Sequence, residues 1–228
     1  MSIKLFDERL SELKSLIASM GGWVEQMLKE ASMIVFQKQA DKDKLYKIIR
    51  AREIEIDSLQ VKLGKYCFRL LAVQSPVAKD LRMILSIIAT NTSLERMGDL
   101  SLNIAKRGRD LKEDPLLETS LNCLEEMLVH ISLMVVDCLD AFINEDESLA
   151  RQVIIQDKKA DELKEKICLE LKDCILKNTE LIDTCLQLVG IAEKLERIGD
   201  QATNIAEEVV FLQTGLNIKH QQQQKGKG

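Results

Sequence analysis

Four pairs of carboxylates stand four residues apart along this chain: Glu53/Asp57, Glu95/Asp99, Asp157/Asp161 and Glu196/Asp200. In a helix that spacing puts both side chains on one face, one turn above the other, where like charges repel at a modest cost. One such pair signifies little, but four in matching places ask for a counter-charge. Carboxylates gathered between the helices of a bundle can hold two or more metal ions. Oxygen-only ligation suits magnesium, manganese, calcium or iron better than a tetrahedral thiolate zinc site. Asn103 and Asn204 follow the two aspartates by one turn and could add amide oxygens or orient the carboxylates. The competing reading is of surface carboxylates in salt bridges, with Arg96 and Arg197 as the obvious partners. Gly98 and Gly199 remove a side chain between the members of a pair, which suits either close helix packing or the approach of an ion.

The pairs repeat because the chain repeats. LERMGDLSLNIA (94–105) and LERIGDQATNIA (195–206) share 8 of 12 residues at an offset of 101. Upstream, Glu53 and Asp57 align with Asp157 and Asp161 at an offset of 104, so three residues are lost between the motifs in the second copy. This is a duplicated unit of about a hundred residues, not a solenoid of short repeats.

Turn and capping signals divide the chain into six long helical runs, three per copy. They span roughly residues 3–39, 41–73, 76–111, 115–144, 147–177 and 179–215. Asp41 or Asp43 can cap the second run. Ser75-Pro76 and Asp114-Pro115 read as starts of the third and fourth, and Asn178-Thr179 opens the sixth. Gly21-Gly22 is a weak point in the first. Long helices with short connections must lie antiparallel to their neighbours. The expected fold is therefore all-α, two pseudo-symmetric three-helix bundles over residues 1–112 and 113–215, with a disordered low-complexity tail at 216–228.

Helical periodicity suggests where the carboxylates point. In the third run, Leu81, Leu85, Ile88, Thr92, Glu95, Asp99 and Leu102 form one stripe. Ile182, Leu186, Val189, Glu193, Glu196, Asp200 and Thr203 repeat it in the sixth. Both are expected to face inward, although residues 83–89 are apolar nearly all round and admit another seam. In the second and fifth runs the stripes pass through Ile49, Ile56 and Leu63 and through Val153, Ala160 and Leu163, with the acidic pairs on their flanks.

Composition excludes several classes. Net charge is −5 with no basic stripe carrying interleaved aromatics, so nucleic acid is not an expected partner. The six cysteines make no CxxC pair and suit reduced, buried thiols in a cytoplasmic protein. The charged, amphipathic start is not a signal peptide. The apolar run MILSIIA is far shorter than the roughly 20 residues of a membrane span. A ferritin-like di-iron oxidase needs two Glu-x-x-His motifs. His130 follows Glu126 at a spacing of four, and His220 is in the tail. No nucleophile elbow, catalytic triad or phosphate loop is present, so an enzyme is not expected.

The two copies of L-E-R-[MI]-G-D-x-x-x-N-I-A, each preceded by an acidic pair about 40 residues upstream, resemble the PhoU family. So do RLLAVQSPVAKDLRMI (69–84) and SMGGWVEQML (19–28). The resemblance spans about residues 3–213. It implies two three-helix bundles whose acidic motifs bind a multinuclear metal cluster, iron foremost, with magnesium, manganese, zinc or calcium as alternatives. The implied ligands are Glu53, Asp57, Glu95 and Asp99 in the first bundle and Asp157, Asp161, Glu196 and Asp200 in the second. It further implies a cytoplasmic, non-catalytic negative regulator of the phosphate-starvation regulon. Its partners would be the phosphate ABC transporter (Pst) and the sensor histidine kinase PhoR. Its only contact with the membrane would be through such proteins, and it would form a homodimer or larger oligomer. An accessory or chaperone-like protein of another transporter is the alternative. Two departures stand out. NTELIDTC replaces SPVAKDLR in the second copy, and Glu207-Glu208 replace Lys106-Arg107, so the two sites are expected to differ in charge or occupancy.

Overall fold

The computed structural model describes residues 3–218; most of the tail read as disordered lies outside that range. Six helices carry the fold: α1 (Ile3–Phe36), α2 (Lys42–Gln74), α3 (Ala78–Gly108), α4 (Glu118–Asn144), α5 (Glu147–Lys177) and α6 (Ile182–Thr214). Among the described residues there is no strand, and no helix is long and apolar enough to cross a membrane.

Most boundaries follow the capping chemistry. The Asp41 carboxylate accepts from the Lys44 N–H at 3.0 Å, and Asp146 does the same for Leu149. Asp114 accepts from Leu116 and opens a 3-10 turn, Pro115–Leu117, that leads into α4. Asn178 opens the equivalent turn before α6. Gly215, at φ +74°, closes α6 in the left-handed conformation that glycine adopts at least cost.

One start signal reads differently. Ser75 does not cap α3. It ends α2 at φ +44°, its N–H bonded to the Leu71 carbonyl, and Val77 precedes α3 with no side-chain cap. Proline after Ser75 prevents α2 from continuing, and Ala78 at φ +48° completes the tight turn. Left-handed backbone at non-glycine residues costs of order 1–3 kcal/mol each, so this link is held by what surrounds it. Gly21-Gly22 does not interrupt α1, because Gly21 is the point at which Leu139 of α4 packs on the helix.

Within each half the three helices pack on one another, and the halves join through α3 on α6, with α1 touching α4 behind them. The α3–α6 crossing is antiparallel. Arg82 Nε donates to the Leu212 carbonyl at 3.2 Å near one end, and Arg107 Nη1 donates to Gln187 Oε1 at 2.8 Å near the other. At a third junction the Glu145 carboxylate takes Lys14 at 2.5 Å and Lys79 at 2.7 Å. Burial alone would push Glu145 up, but the two lysines outweigh it and bring the carboxyl down to about 2.

This packing overturns the expected inward stripe. Because α3 meets α1, α2 and α6, it buries Ile84, Ile87, Asn91, Leu94, Gly98, Ser101 and Ala105. Leu81 and Leu85 are left 36% and 43% exposed. In α6 the ridge Leu188, Ile191, Leu195, Ile198, Ala202 and Ile205 is buried, while Ile182 and Leu186 are 46% and 56% exposed. The stripe that carries the carboxylates is thus the one wet stripe of each central helix, on the side away from α1 and α4. In α2 and α5 the expected seams do face inward: Ile49, Ile56, Leu63, Val153, Ala160 and Ile167 are buried.

Ile56 is fully buried and its Cδ1 would lie 3.3 Å from a Cβ at Gly98, so it fastens α2 to α3 beneath the acidic pairs. Ile56→Ala is expected to lower unfolding free energy by about 2–5 kcal/mol, measured by urea titration followed by circular dichroism.

Candidate metal centre

Antiparallel packing of α2 on α3 brings their outer faces to a common groove. Asn91 Nδ2 donates to the Gln60 carbonyl at 3.0 Å and fixes the register. One turn or so further along, carboxylate oxygens of Glu53, Asp57 and Asp99 all lie within 4.8 Å of one another. Glu95 stands outside that trio but is close enough to feel both Asp57 and Asp99. Burial pushes the Glu53 carboxyl up, Asp57 and Asp99 add repulsion, and Glu53 and Asp99 share a hydrogen bond. Asp99 and Glu95 are raised for the same leading reason, loss of water, with neighbouring carboxylates second. Arg50 and Arg96 oppose the shifts on Glu53 and Glu95 from a distance. Among the described residues no ion pair engages any of the four, nor Arg96 or Arg197. The salt-bridge reading therefore fails in the first half.

The donor set fits a hard cation. Oxygens bound to one such ion at about 2.0–2.6 Å lie within about 4–5 Å of each other, and the trio meets that condition from two helices. The thiols take no part: all six cysteines are free, none joins the trio, and burial pushes Cys67 up to about 11.

The second half has the same carboxylates in a different electrical setting. Burial raises Asp157 and Asp161, with Asp161 and Glu196 respectively the next cause. Burial, followed by Glu196, Asp157 and Asp161, pushes Asp200 up to about 6. Yet no three of these groups gather as Glu53, Asp57 and Asp99 do. Instead Lys164 Nζ donates to Glu196 Oε1 at 2.9 Å. Helical periodicity gives no signal for Lys164, but the duplication marks it: its partner position in the first copy is Gln60.

The auxiliary residues divide. Asn103 Nδ2 donates to the Asp99 backbone carbonyl at 2.8 Å, so its amide braces the turn that carries Asp99. Asn204 is half-buried on the corresponding turn of α6. Both glycines serve helix packing: a Cβ at Gly98 would meet Ile56, and one at Gly199 would meet Ile131 Cδ1 at 2.9 Å. His130 faces the Gln156 carbonyl at 2.9 Å, next to Asp157. Arg107 lies against Gly190 at the α3–α6 crossing, away from both carboxylate groups.

Six helices in two matched triplets, each with an acidic groove between its second and third members, define a duplicated helical-bundle protein with carboxylate sites on its surface. The PhoU domain family matches twice, over residues 17–108 and 124–209. A protein of Caulobacter vibrioides named phosphate-specific transport system accessory protein PhoU homolog is 31% identical over 220 residues, covering 96% of this chain and 94% of its own length. The crystal structure of PhoU from Pseudomonas aeruginosa superposes with a TM-score of 0.84 at 30% identity, covering 92% of this chain and 100% of that one. That of the phosphate transport system regulatory protein PhoU from Streptococcus pneumoniae gives 0.83 at 31%, covering 94% and 99%. The chain belongs to the PhoU domain family.

A raised carboxylate destabilises the folded state wherever it must ionise. The unfolded chain releases the Asp200 proton near 3.8 and the folded chain near 6, so the folded state binds more protons in that window and stability falls as pH rises through it. After solvent screening of this partly exposed group about 1 kcal/mol remains. Asp200→Asn is therefore expected to raise Tm by about 2–4 °C at neutral pH in the presence of chelator, and to flatten the decline between pH 4 and 6. Differential scanning calorimetry against pH checks both.

Proposed function

We propose that this protein is a metal-binding regulatory adaptor of phosphate uptake and signalling. The observation that carries this reading is the match of both halves, over nearly the whole chain, to PhoU proteins named as accessory or regulatory components of phosphate transport systems. In this reading it is a cytoplasmic, non-catalytic negative regulator of the phosphate-starvation regulon. It works by docking on the phosphate ABC transporter and the sensor histidine kinase, and it self-associates as a homodimer or larger oligomer.

The metal would be held by Glu53, Asp57 and Asp99, with Glu95 next to them, and by the corresponding groups of the second half. A bound cation supplies positive charge where the chain has gathered only negative charge. The protein residues divide the work of holding it. Helices α2 and α3 present their carboxylates to one point, Ile56 and Gly98 hold the helices together beneath it, and the Asn91–Gln60 bond sets the register. A multinuclear cluster with iron foremost is the proposed occupant, and magnesium, manganese, zinc or calcium satisfy the same oxygen donors.

Two measurements separate the parts of this proposal. Elemental analysis of protein purified without chelator should find metal, and Glu53→Ala/Asp99→Ala should remove at least half of it. Metal content that ignores the double substitution would end the metal assignment. Deleting the gene should leave phosphatase expression high even in abundant phosphate; a strain that still represses normally would end the regulatory one.

A further inference from the structure

The two acidic sites are copies of one another, and one substitution between them brings in a cation. Glu53, Asp57, Glu95 and Asp99 become Asp157, Asp161, Glu196 and Asp200, all still carboxylates, but Gln60 becomes Lys164. Position 164 lies on the face of α5 that carries Asp161, one turn further on. Its ammonium reaches across to α6 and sits 2.9 Å from Glu196 Oε1, with the lysine and glutamate side chains only 32% and 21% exposed. The same ammonium attracts Asp161 and counteracts the crowding of Asp200, so three of the four carboxylates of the second half respond to it. Among the described residues no cation pairs with the carboxylates of the first half: Arg50 and Arg96 attract Glu53 and Glu95 without forming an ion pair, Gln60 is neutral, and the trio lies within 4.8 Å.

We infer that Lys164 is a resident counter-ion of the second site, so that the two halves load metal unequally: first and tightly through Glu53, Asp57 and Asp99, later and weakly through the Asp157, Asp161, Glu196 and Asp200 group. The inference rests on the metal-binding reading proposed above and assigns a role inside it. A cation entering the first site removes repulsion and displaces the proton shared by Glu53 and Asp99, but it breaks no ion pair. One entering the second must take Glu196 from Lys164 and then lie beside the released ammonium, whose like charge opposes it at short range. Lys164 is thus a specificity-determining residue for occupancy, and the second site becomes a responsive one whose filling depends on ambient metal concentration.

The test is a Mn²⁺ titration of the full-length, metal-stripped protein, read by calorimetry and by the electron paramagnetic resonance of free Mn²⁺. Wild type should show a tight and a weak phase. Glu53→Ala/Asp99→Ala should abolish the tight phase, and Glu196→Ala/Asp200→Ala the weak one. Lys164→Gln, which restores the residue type of the first copy, should tighten the weak phase by about tenfold or more and leave the tight phase unchanged. Gln60→Lys should weaken the tight phase by a similar factor. Equal phases in wild type, or a weak phase that Lys164→Gln moves by less than about twofold, would overturn the inference while leaving the metal-binding reading in place. No Mn²⁺ taken up by wild type or by Lys164→Gln would overturn both together.

Discussion

The antiparallel packing of α3 on α6 determines where every other element can go. Each of these helices touches three others, so most of its circumference is committed to apolar or small-residue contact. What remains is one stripe per helix facing water on the side away from α1 and α4, and both stripes carry a Glu-Asp pair. The flanking helices α2 and α5 pack apolar seams on the central pair and carry their own acidic pairs on the edge next to those stripes. Two acidic grooves therefore follow from a single crossing, copied by the duplication.

Within each groove electrostatics work against the fold. Desolvation and neighbouring carboxylates push Glu53, Glu95 and Asp99 up, and likewise Asp157, Asp161 and Asp200. Such an arrangement raises the free energy of the folded chain at neutral pH and lowers it again when a cation is bound. The two halves handle the strain differently. The second holds Lys164 in an ion pair with Glu196, whereas the first has only the unpaired attraction of Arg50 and Arg96. On the proposed reading, two sites of unequal affinity would respond over a wider range of cation concentration than two equal ones.

Much of this is legible in the sequence. The six helices can be read from periodicity, Asp41, Asp114 and Asn178 from capping chemistry, and the twofold plan from the 101-residue echo. Spacing alone finds the eight carboxylates, and the seams of α2 and α5 point the right way because those helices have one buried face each. The stripe of α3 and α6 does not. A helix surrounded on three sides is apolar over most of its circumference, so periodicity no longer distinguishes the inner ridge from the outer one, and Leu81, Leu85, Ile182 and Leu186 pass for core. Ser75 misleads because a local pattern admits two readings: serine before proline suits a helix start, but here it lies in the left-handed region and ends the helix before it.

The residue pattern by itself determined the helices, the duplication and the identity of the acidic groups, because spacing along a helix is a local property and repeats are visible in one dimension. Tertiary structure decided which face those groups occupy, that Glu53, Asp57 and Asp99 meet while Glu95 stands aside, and that Lys164 sits on Glu196. These depend on the register between helices distant in sequence, set by contacts such as Asn91 with Gln60 and Ile56 with Gly98. Charge interactions at a few ångströms follow that register, and no spacing along one helix can supply it.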